Sequence, residues 1–320
     1  MGIKLIFKLL NKLIIMFDTI IIGAGPAGLT AAIYAARRQL KTLIIAKQVG
    51  GQVIWASTIE NFPGFAAIQS FDLINKMQNQ VKNLGIDIKV EQVKKIAKDK
   101  NYFILLTETE QFQTKTIIIA MGLEPRYLNL PNEKELIGKG IGFCANCDGP
   151  LYKDKLVAVI GGGNAALDAA EVMSKIAKQV YLIHKLDYFE AFEILAKKVR
   201  EIKNIQILLG TEVREIIGTS KLESIRILNN KTGEMSQLNI SGLFIEIGRE
   251  AQTDLVANLV ERDEKDQIIV DQNNQTSLAS VFAAGDVTQL EFKQIVIGCG
   301  QGAIAALSAY KYLQTNKNFN

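Results

Sequence analysis

Two apolar runs along the chain each stop at a cluster of glycines and give way to a helical pattern. A second apolar run follows each helix at the distance expected of a βαβ unit. The predicted strand, helix and strand cover residues 18–22, 29–38 and 42–46, and again 156–160, 164–174 and 180–183. Strand, glycine turn and helix is the order in which proteins bind dinucleotides, so the chain is predicted to contain two such units.

The first glycine cluster has the spacing of a phosphate-binding loop. Gly23 permits a tight turn, Gly25 lets the backbone approach a pyrophosphate, and Gly28 lets helix and strand pack closely. The free N–H groups of the following helix would then face phosphate. The next strand ends in Ala46 and Lys47, without the acid that usually holds a ribose.

The second glycine cluster follows the G-x-G-x-x-A form of the same motif. Gly161, Gly163 and Ala166 occupy the three positions, so a pyridine dinucleotide is expected to bind here through its pyrophosphate. His184 and Lys185 close the next strand.

A Cys-x-x-Cys pair, Cys144 and Cys147, lies between the two glycine clusters. Two nucleotide sites and a dithiol predict a relay from a reductant to a flavin, then to the cysteines and finally to another protein's disulfide. One such pair without a second argues against a structural zinc site, and no metal is predicted. The alternative is a pair of inert buried cysteines. A working dithiol favours a reducing, cytoplasmic location.

Composition limits the classes of function. A length of 320 residues suits about two domains, and 37 basic against 33 acidic residues give a net charge of only +4. The sequence has no basic arm of the kind that would indicate nucleic-acid binding. Residues 1–15 are apolar with three lysines, too short and too charged to span a bilayer. They are interpreted as an upstream extension, or alternatively as an interfacial amphipathic helix.

Several segments, taken together, resemble the low-molecular-weight thioredoxin reductases. The similarity extends from residue 17 to about residue 313, in the family's order. The segments are residues 50–52, 60–64, 116–122, 142–149 and 282–287. A weaker likeness, in residues 147–150 and 293–297, is to the flavoprotein subunit of alkyl hydroperoxide reductase.

The resemblance implies an α/β fold of two Rossmann-like three-layer dinucleotide-binding domains, the second inserted into the first. Residues 16–126 and 254–320 would form a discontinuous FAD domain, and residues 127–253 the inserted domain with the dithiol. It also implies a homodimer that reduces thioredoxin or a thioredoxin-like protein. The implied FAD-binding residues are Gly23, Gly25, Pro26, Ala27, Gly28, Gly51, Gln52, Asn61, Ala120, Gly122, Gly285, Asp286, Lys293, Gln294 and Ile295.

By the same resemblance, Cys147 would face the flavin and Cys144 would attack the partner's disulfide. Asp148 would donate or accept the proton. Cys299, the third cysteine, falls in a glycine-rich stretch predicted to be a turn just before the last helix. It is interpreted as a buried spacer, with a flavin-proximal reactive thiol as the alternative.

The second nucleotide site departs from the family pattern. NADPH-using members carry three arginines that clamp the 2′-phosphate. Lys185, Leu186 and Glu190 stand at those positions, which leaves NADPH, NADH or ferredoxin as the reductant. The residues expected to contact a nicotinamide dinucleotide are Gly161, Gly163, Asn164, Ala165, Ala166, His184 and Lys185.

The same features fit more than one function. The enzyme would pass electrons from NAD(P)H to thioredoxin, pass them from ferredoxin to thioredoxin, or support a peroxiredoxin through a separate carrier. A ferredoxin–NADP-type flavoprotein would not need the two cysteines, and a flavin-based redox sensor would not turn over a disulfide substrate.

Overall fold

A computed structural model of the chain describes residues 15–55, 58–59 and 61–316; the side chains of residues 55, 58, 146 and 147 are outside the description. The predicted extension, residues 1–15, lies outside the described residues except for Ile15. Contacts within the chain divide it into two compact units. Of the described residues, one unit contains 15–54, 61–123 and 251–316; the other contains 55, 58–59 and 124–250.

The first unit is built on a mainly parallel sheet of seven strands. Its described elements are β1 (Met16–Ala24), α1 (Pro26–Arg37), β2 (Thr42–Val49), β4 (Ile68–Gln69), α2 (Ser70–Asn83), β5 (Asp87–Val90), β6 (Lys95–Asp99), β7 (Tyr102–Leu106), β8 (Gln111–Ile119), β19 (Val281–Ala283) and α6 (Ile295–Thr315), with a 3₁₀ turn at Gly51–Trp55. The strand order is β5-β2-β1-β8-β7-β6, with β19 beside β8.

Alternation along β1 explains how this sheet is covered. Ile20 and Ile22 face a buried cluster that includes Phe103 and Val281, while Ile21 touches the α1 side near Gly28. Helices α1 and α6 pack against each other. The predicted strand and helix therefore form as expected, with α1 beginning three residues earlier, because Pro26 suits the first turn of a helix.

The second unit is built on a five-stranded parallel sheet. Its described elements are β3 (Thr58–Ile59), β9 (Glu124–Pro125), β10 (Ile141–Gly142), α3 (Ala145–Asp148), β11 (Leu156–Ile160), α4 (Asn164–Ser174), β12 (Gln179–Ile183), α5 (Glu193–Arg200), β13 (Ile205–Leu208), β14 (Thr211–Gly218), β15 (Leu222–Asn229), β16 (Met235–Asn239), β17 (Gly242–Ile245) and β18 (Arg249–Glu250). The strand order of the sheet is β10-β17-β11-β12-β13.

This second sheet lies between two other layers. Val157 and Val159 of β11 face α4 through Leu167, whereas Ala158 and Ile160 face the antiparallel sheet β14-β15-β16. Each face is apolar, so the central strands are apolar throughout, as buried parallel strands are. The fold class predicted from the sequence is confirmed.

One sequence prediction is wrong. Cys299 does not precede the last helix but lies inside α6, whose first residue is Ile295. Gly302 serves close packing, not a turn: a Cβ there would lie 2.2 Å from the Ala27 carbonyl oxygen. Among the described residues, no helix is both long and apolar enough to cross a bilayer.

Candidate functional site

Two glycines of the first loop, Gly23 and Gly28, are packed so tightly that neither position can hold a side chain. Gly23 has a φ of +116°, and a Cβ there would lie 2.1 Å from the carbonyl oxygen of Ala120. A Cβ on Gly28 would lie 2.0 Å from the carbonyl oxygen of Gly23. Both distances are far below van der Waals contact, so glycine is required at the turn and at the start of α1. Pro26 begins α1, and Gly25, the N-cap residue, offers no side-chain cap, so the helix N-terminus suits a phosphate.

Segments distant in sequence close around this loop. The backbones of Gly25 and Gly51 approach each other, since a Cβ on Gly51 would lie 3.3 Å from the Gly25 Cα. A Cβ on Gly285 would lie 2.9 Å from that of Ala27. The structure thus brings together a cradle of small residues whose lack of side chains fits the pyrophosphate of a dinucleotide such as FAD.

Polar side chains predicted to bind FAD are linked around the cradle. The Gln52 Nε2 donates to the Asp286 Oδ2 at 3.1 Å, and a Cβ on Gly122 would lie 3.7 Å from the same Gln52 nitrogen. The Asn61 Nδ2 donates to the Gln294 Oε1, also at 3.1 Å. These groups offer amide and carboxylate contacts to the polar parts of a bound flavin nucleotide.

Lys293 differs from the other predicted contacts. Its ammonium donates to the carbonyl oxygens of Asp286 and Thr288 at 3.0 and 2.6 Å, and to the Gln267 side chain at 3.0 Å. It therefore pins the loop that carries Asp286, just before α6 begins at Ile295. Burial lowers the pKa of Lys293 below its ordinary value.

Cys299 lies against the first glycine loop. Its Sγ is 3.9 Å from the carbonyl oxygen of Pro26. Burial raises the pKa of this thiol, and a contact with the Thr30 hydroxyl opposes the shift. A buried thiol with a raised pKa is a poor nucleophile, which supports the interpretation of a packing residue.

The second glycine loop repeats the geometry of the first, except that alanine replaces glycine at the third position of its motif. Gly161 has a φ of +141°, and a Cβ there would lie 2.3 Å from the carbonyl oxygen of Glu246. Its third position is Ala166, which is fully buried. Gly163 caps α4 and has open space around it, while Ala165 is exposed in the first turn. A phosphate could approach the α4 N-terminus at this opening.

The segment after β12 returns to this loop. His184 is buried against Gly162, whereas Lys185 is exposed. The Glu190 N–H donates to the carbonyl oxygen of Gly162 at 2.9 Å, and the Phe192 N–H donates to the Asn164 Oδ1 at 2.8 Å. Asn164 is thus held by the protein itself and shapes the rim of the loop.

The dithiol segment lies in the same unit as the second loop. Cys144 is half-buried and immediately precedes α3, the short helix that contains Cys147 and ends at Asp148. The Asp148 carboxyl packs beside Gly142: a Cβ there would lie 2.8 Å from its Oδ2. Burial raises the pKa of Asp148. Burial, aided by the nearby Asp148 charge, raises the pKa of Tyr152.

The order of the strands explains why the Cys-x-x-Cys segment and the second glycine loop are neighbours. Strands β10, β17 and β11 are adjacent and parallel, so their carboxyl ends meet at one edge of the sheet. Cys144 follows β10 by two residues, and Gly161 follows β11 directly. The carboxyl edge of a parallel sheet is where α/β proteins bind ligands.

A family model described as pyridine nucleotide-disulphide oxidoreductase matches residues 17–302. The chain belongs to this family. A thioredoxin reductase of Mycolicibacterium smegmatis is 36% identical over 92% of this chain and 96% of that protein. A Clostridium pasteurianum protein described as a 34.2 kDa protein in the rubredoxin operon is 39% identical, over 92% and 97%.

Solved structures agree with this assignment. The crystal structure of Lactococcus lactis thioredoxin reductase has a TM-score of 0.79 and 36% identity, covering 94% of this chain and all of that one (100%). Alkyl hydroperoxide reductase proteins of Staphylococcus aureus and Pseudomonas putida also match, and this chain spans about 60% of their length. The similarity to thioredoxin reductases inferred from the sequence is confirmed, as are FAD and NAD(P)H as the cofactors of this family.

Two residues near these sites were not predicted. The buried Gln301 of α6 accepts the Gly285 N–H through its Oε1 at 2.9 Å and fixes the turn before Asp286. Glu246 directly follows β17, between the ends of β10 and β11. Burial raises its pKa to about 7, and Arg249 opposes that shift. An acid at the end of the apolar run 242–245 was the available signal for Glu246.

Proposed function

We propose that this protein is an FAD-dependent thioredoxin-disulfide reductase, which passes electrons from NAD(P)H through the flavin and the Cys144–Cys147 pair to thioredoxin or a thioredoxin-like protein. The observation that carries the proposal is the placement of a Cys-x-x-Cys segment and a glycine loop at one sheet edge. Similarity to thioredoxin reductases over more than nine tenths of the chain supports it.

Each nucleotide would be held mainly by backbone groups. In the first unit, the loop from Gly23 to Gly28 and the α1 N-terminus would bind the FAD pyrophosphate, with Gln52 and Asp286 beside it. Bound FAD supplies a carrier that accepts two electrons from a nicotinamide and yields them to a disulfide. In the second unit, the α4 N-terminus would bind the pyridine nucleotide.

The reduced cysteine pair would then perform thiol–disulfide exchange. The Cys144 thiolate attacks one sulfur of the partner's disulfide, and the other partner sulfur leaves as a thiolate that takes up a proton. Cys147 attacks the mixed disulfide at the Cys144 sulfur and releases the second partner thiol. Two electrons thus pass to the partner, and the pair ends as a disulfide. Asp148 would exchange the protons, since its raised pKa lets it hold a proton to a higher pH than an ordinary aspartate.

The test separates flavin reduction from disulfide reduction. We expect Cys144→Ser and Cys147→Ser each to lower NAD(P)H-dependent reduction of thioredoxin by about a thousandfold or more, because exchange needs both sulfurs. Bleaching of flavin absorbance by the nucleotide should persist in both variants. Cys299→Ser, which removes the thiol of α6, should keep nearly full turnover and serves as the matched control. Full turnover in Cys147→Ser would contradict the proposal.

The alkyl hydroperoxide reductase relatives favour one alternative. In that case the natural partner would be a thioredoxin-like carrier that feeds a peroxiredoxin. Comparing turnover with thioredoxin against turnover with such a carrier distinguishes the two. The homodimer, the cytoplasmic location and ferredoxin as an electron donor stay predictions.

A further inference from the structure

The end of β12 carries a buried polar group that lacks a partner. His184 follows β12 directly and is only 6% exposed, and its Nε2 has no hydrogen-bond partner among the described residues. The ring lies against the second glycine loop, because a Cβ on Gly162 would lie 2.3 Å from that nitrogen. An unpaired buried nitrogen destabilises the folded protein, so a ligand that paired with it would recover stability.

The following loop brings a carboxylate to this nitrogen. The Glu190 N–H is bonded to the Gly162 carbonyl, and the Glu190 Oε2 lies 4.0 Å from the His184 Nε2. The Phe189 ring stacks on the imidazole with centroids 6.4 Å apart. The Glu190 side chain is 59% exposed, so a ligand can reach it from solvent. The acid missing from the end of β12 in the sequence is therefore supplied by the loop.

The cations near His184 form an incomplete phosphate clamp. Lys185 is exposed and leaves its ammonium accessible to a phosphate. Lys231 is paired with Asp187 at 3.2 Å, and the Arg200 guanidinium lies over the Phe189 ring. Burial lowers the pKa of His184, Glu190 opposes the shift, and Lys185 adds to it. A neutral imidazole beside a carboxylate does not attract a dianion.

A hydroxyl group has the bonding pattern to join these two side chains. The separation of 4.0 Å is too long for a direct hydrogen bond. A hydroxyl can donate to a carboxylate and at the same time bond an imidazole nitrogen. The 2′-phosphate of NADPH carries about two negative charges and would place them next to Glu190, which would repel them.

We infer that Glu190 and His184 together bind the 2′-hydroxyl of the adenosine ribose of NADH, and that this pair makes the protein prefer NADH to NADPH. The inference rests on the proposed use of a pyridine nucleotide, and it names which one. In dinucleotide-binding folds an acid at the end of the second strand has this role; here a residue of the following loop takes its place.

Binding without catalysis tests the inference. Titration calorimetry on the FAD-loaded protein would compare ADP-ribose with 2′-phospho-ADP-ribose, neither of which can reduce a flavin. We expect ADP-ribose to bind about tenfold more tightly or better. Glu190→Gln should lower the ratio of the affinity for ADP-ribose to the affinity for 2′-phospho-ADP-ribose. Glu190→Arg should make the phosphorylated probe the tighter binder, because the new cation attracts the phosphate. Glu193→Gln, at an exposed acid in the first turn of α5, is the matched control and should leave the ratio unchanged.

Four results would overturn the inference: equal affinity for the two probes, tighter binding of the phosphorylated one, a ratio of affinities that Glu190→Arg does not change, or failure of both probes to bind. The proposed function is tested separately by reducing the protein with dithionite and adding thioredoxin disulfide. Reduction of thioredoxin in that experiment would leave the disulfide-reductase function standing while the nucleotide inference fails.

Discussion

The two glycine loops share a motif but differ in what their third position tolerates. Gly28 has no room for a methyl group, because Gly23 folds its carbonyl over that position. In the second loop Ala166 stands there and is buried, and Gly161, with its positive φ, packs near its methyl group. The same turn of chain is thus closed more tightly in the unit that would hold FAD. A permanently bound group profits from such a rigid cradle, whereas an exchanging nucleotide needs an open one.

The surroundings of the two loops differ as well. Neighbouring glycines, Gly51 and Gly285, enclose the first loop, and β2 continues past Ala46 to Val49 with a shift in its register against β1. Around the second loop the chain turns back after β12, and ionisable groups gather at the sheet edge: Asp148, His184, Glu190 and Glu246. The motif alone therefore indicates a dinucleotide; residues outside it decide which one binds and how protons move.

The largest expected effect comes from exchanging the third positions of the loops. Gly28→Ala should cost about 3 kcal/mol or more, because the methyl group meets backbone that cannot move aside. The protein should purify with little or no flavin. The ratio of flavin absorbance to protein absorbance measures this directly.

Ala166→Gly is the matched control in the second loop. It should keep the flavin and lose about 1 kcal/mol, as expected for glycine in a helix. If Gly28→Ala retains one flavin per chain, close packing of the first loop is not what the site requires, and the contrast between the loops disappears.

Local signals of this kind were predictable from the sequence. The strand 156–160 and the helix 164–174 were predicted with the bounds that the structure has, because apolar periodicity and the intervening glycines act over a few residues. The glycines around Cys299 misled, because Gly298 and Gly302 let α6 approach Ala27 and the helix continues through them. A glycine that serves a long-range contact looks the same in sequence as one that serves a turn.

The ionisable edge of the second unit was harder to predict. Neither the return of Glu190 to Gly162 nor the position of Glu246 between two other strands follows from spacing along the chain. Both depend on strand order and loop path, which are set by tertiary packing. Asp148 was identified only through its place beside the Cys-x-x-Cys motif and the resemblance to a family.

The acid beside the Cys-x-x-Cys pair should have the next largest effect. Asp148→Asn should lower the rate of thioredoxin reduction by about a hundredfold, since general acid–base catalysis contributes at least that much. Flavin content and reduction of the flavin by nucleotide should stay unchanged. Stopped-flow absorbance separates the two half-reactions. Asp154→Asn, in the same unit but outside the dithiol segment, is the control. Equal loss in both half-reactions would show that Asp148 has a structural role instead.

The smallest expected effect comes from Glu246, one of the ionisable groups that distinguish the second loop from the first. Burial raises the pKa of Glu246 from 4.5 to about 7. A group whose folded-state pKa is raised contributes its full stability below the unfolded value and loses it as pH rises through the folded value. Between about pH 5 and about pH 8 the native protein should therefore lose stability at this residue, by about 1–3 kcal/mol after allowance for partial exposure.

Glu246→Gln removes that titration while keeping the shape of the side chain. The variant should match the native protein near pH 5 and exceed it near pH 8, with denaturant unfolding followed by circular dichroism as the measurement. Glu223→Gln, at an exposed glutamate of β15 in the same unit, should show no such gain in stability between about pH 5 and about pH 8. If the two glutamine variants respond to pH alike, Glu246 is solvated in solution. The second sheet edge would then owe its chemistry to Asp148 and to the His184–Glu190 pair, because a solvated Glu246 would titrate like any surface acid.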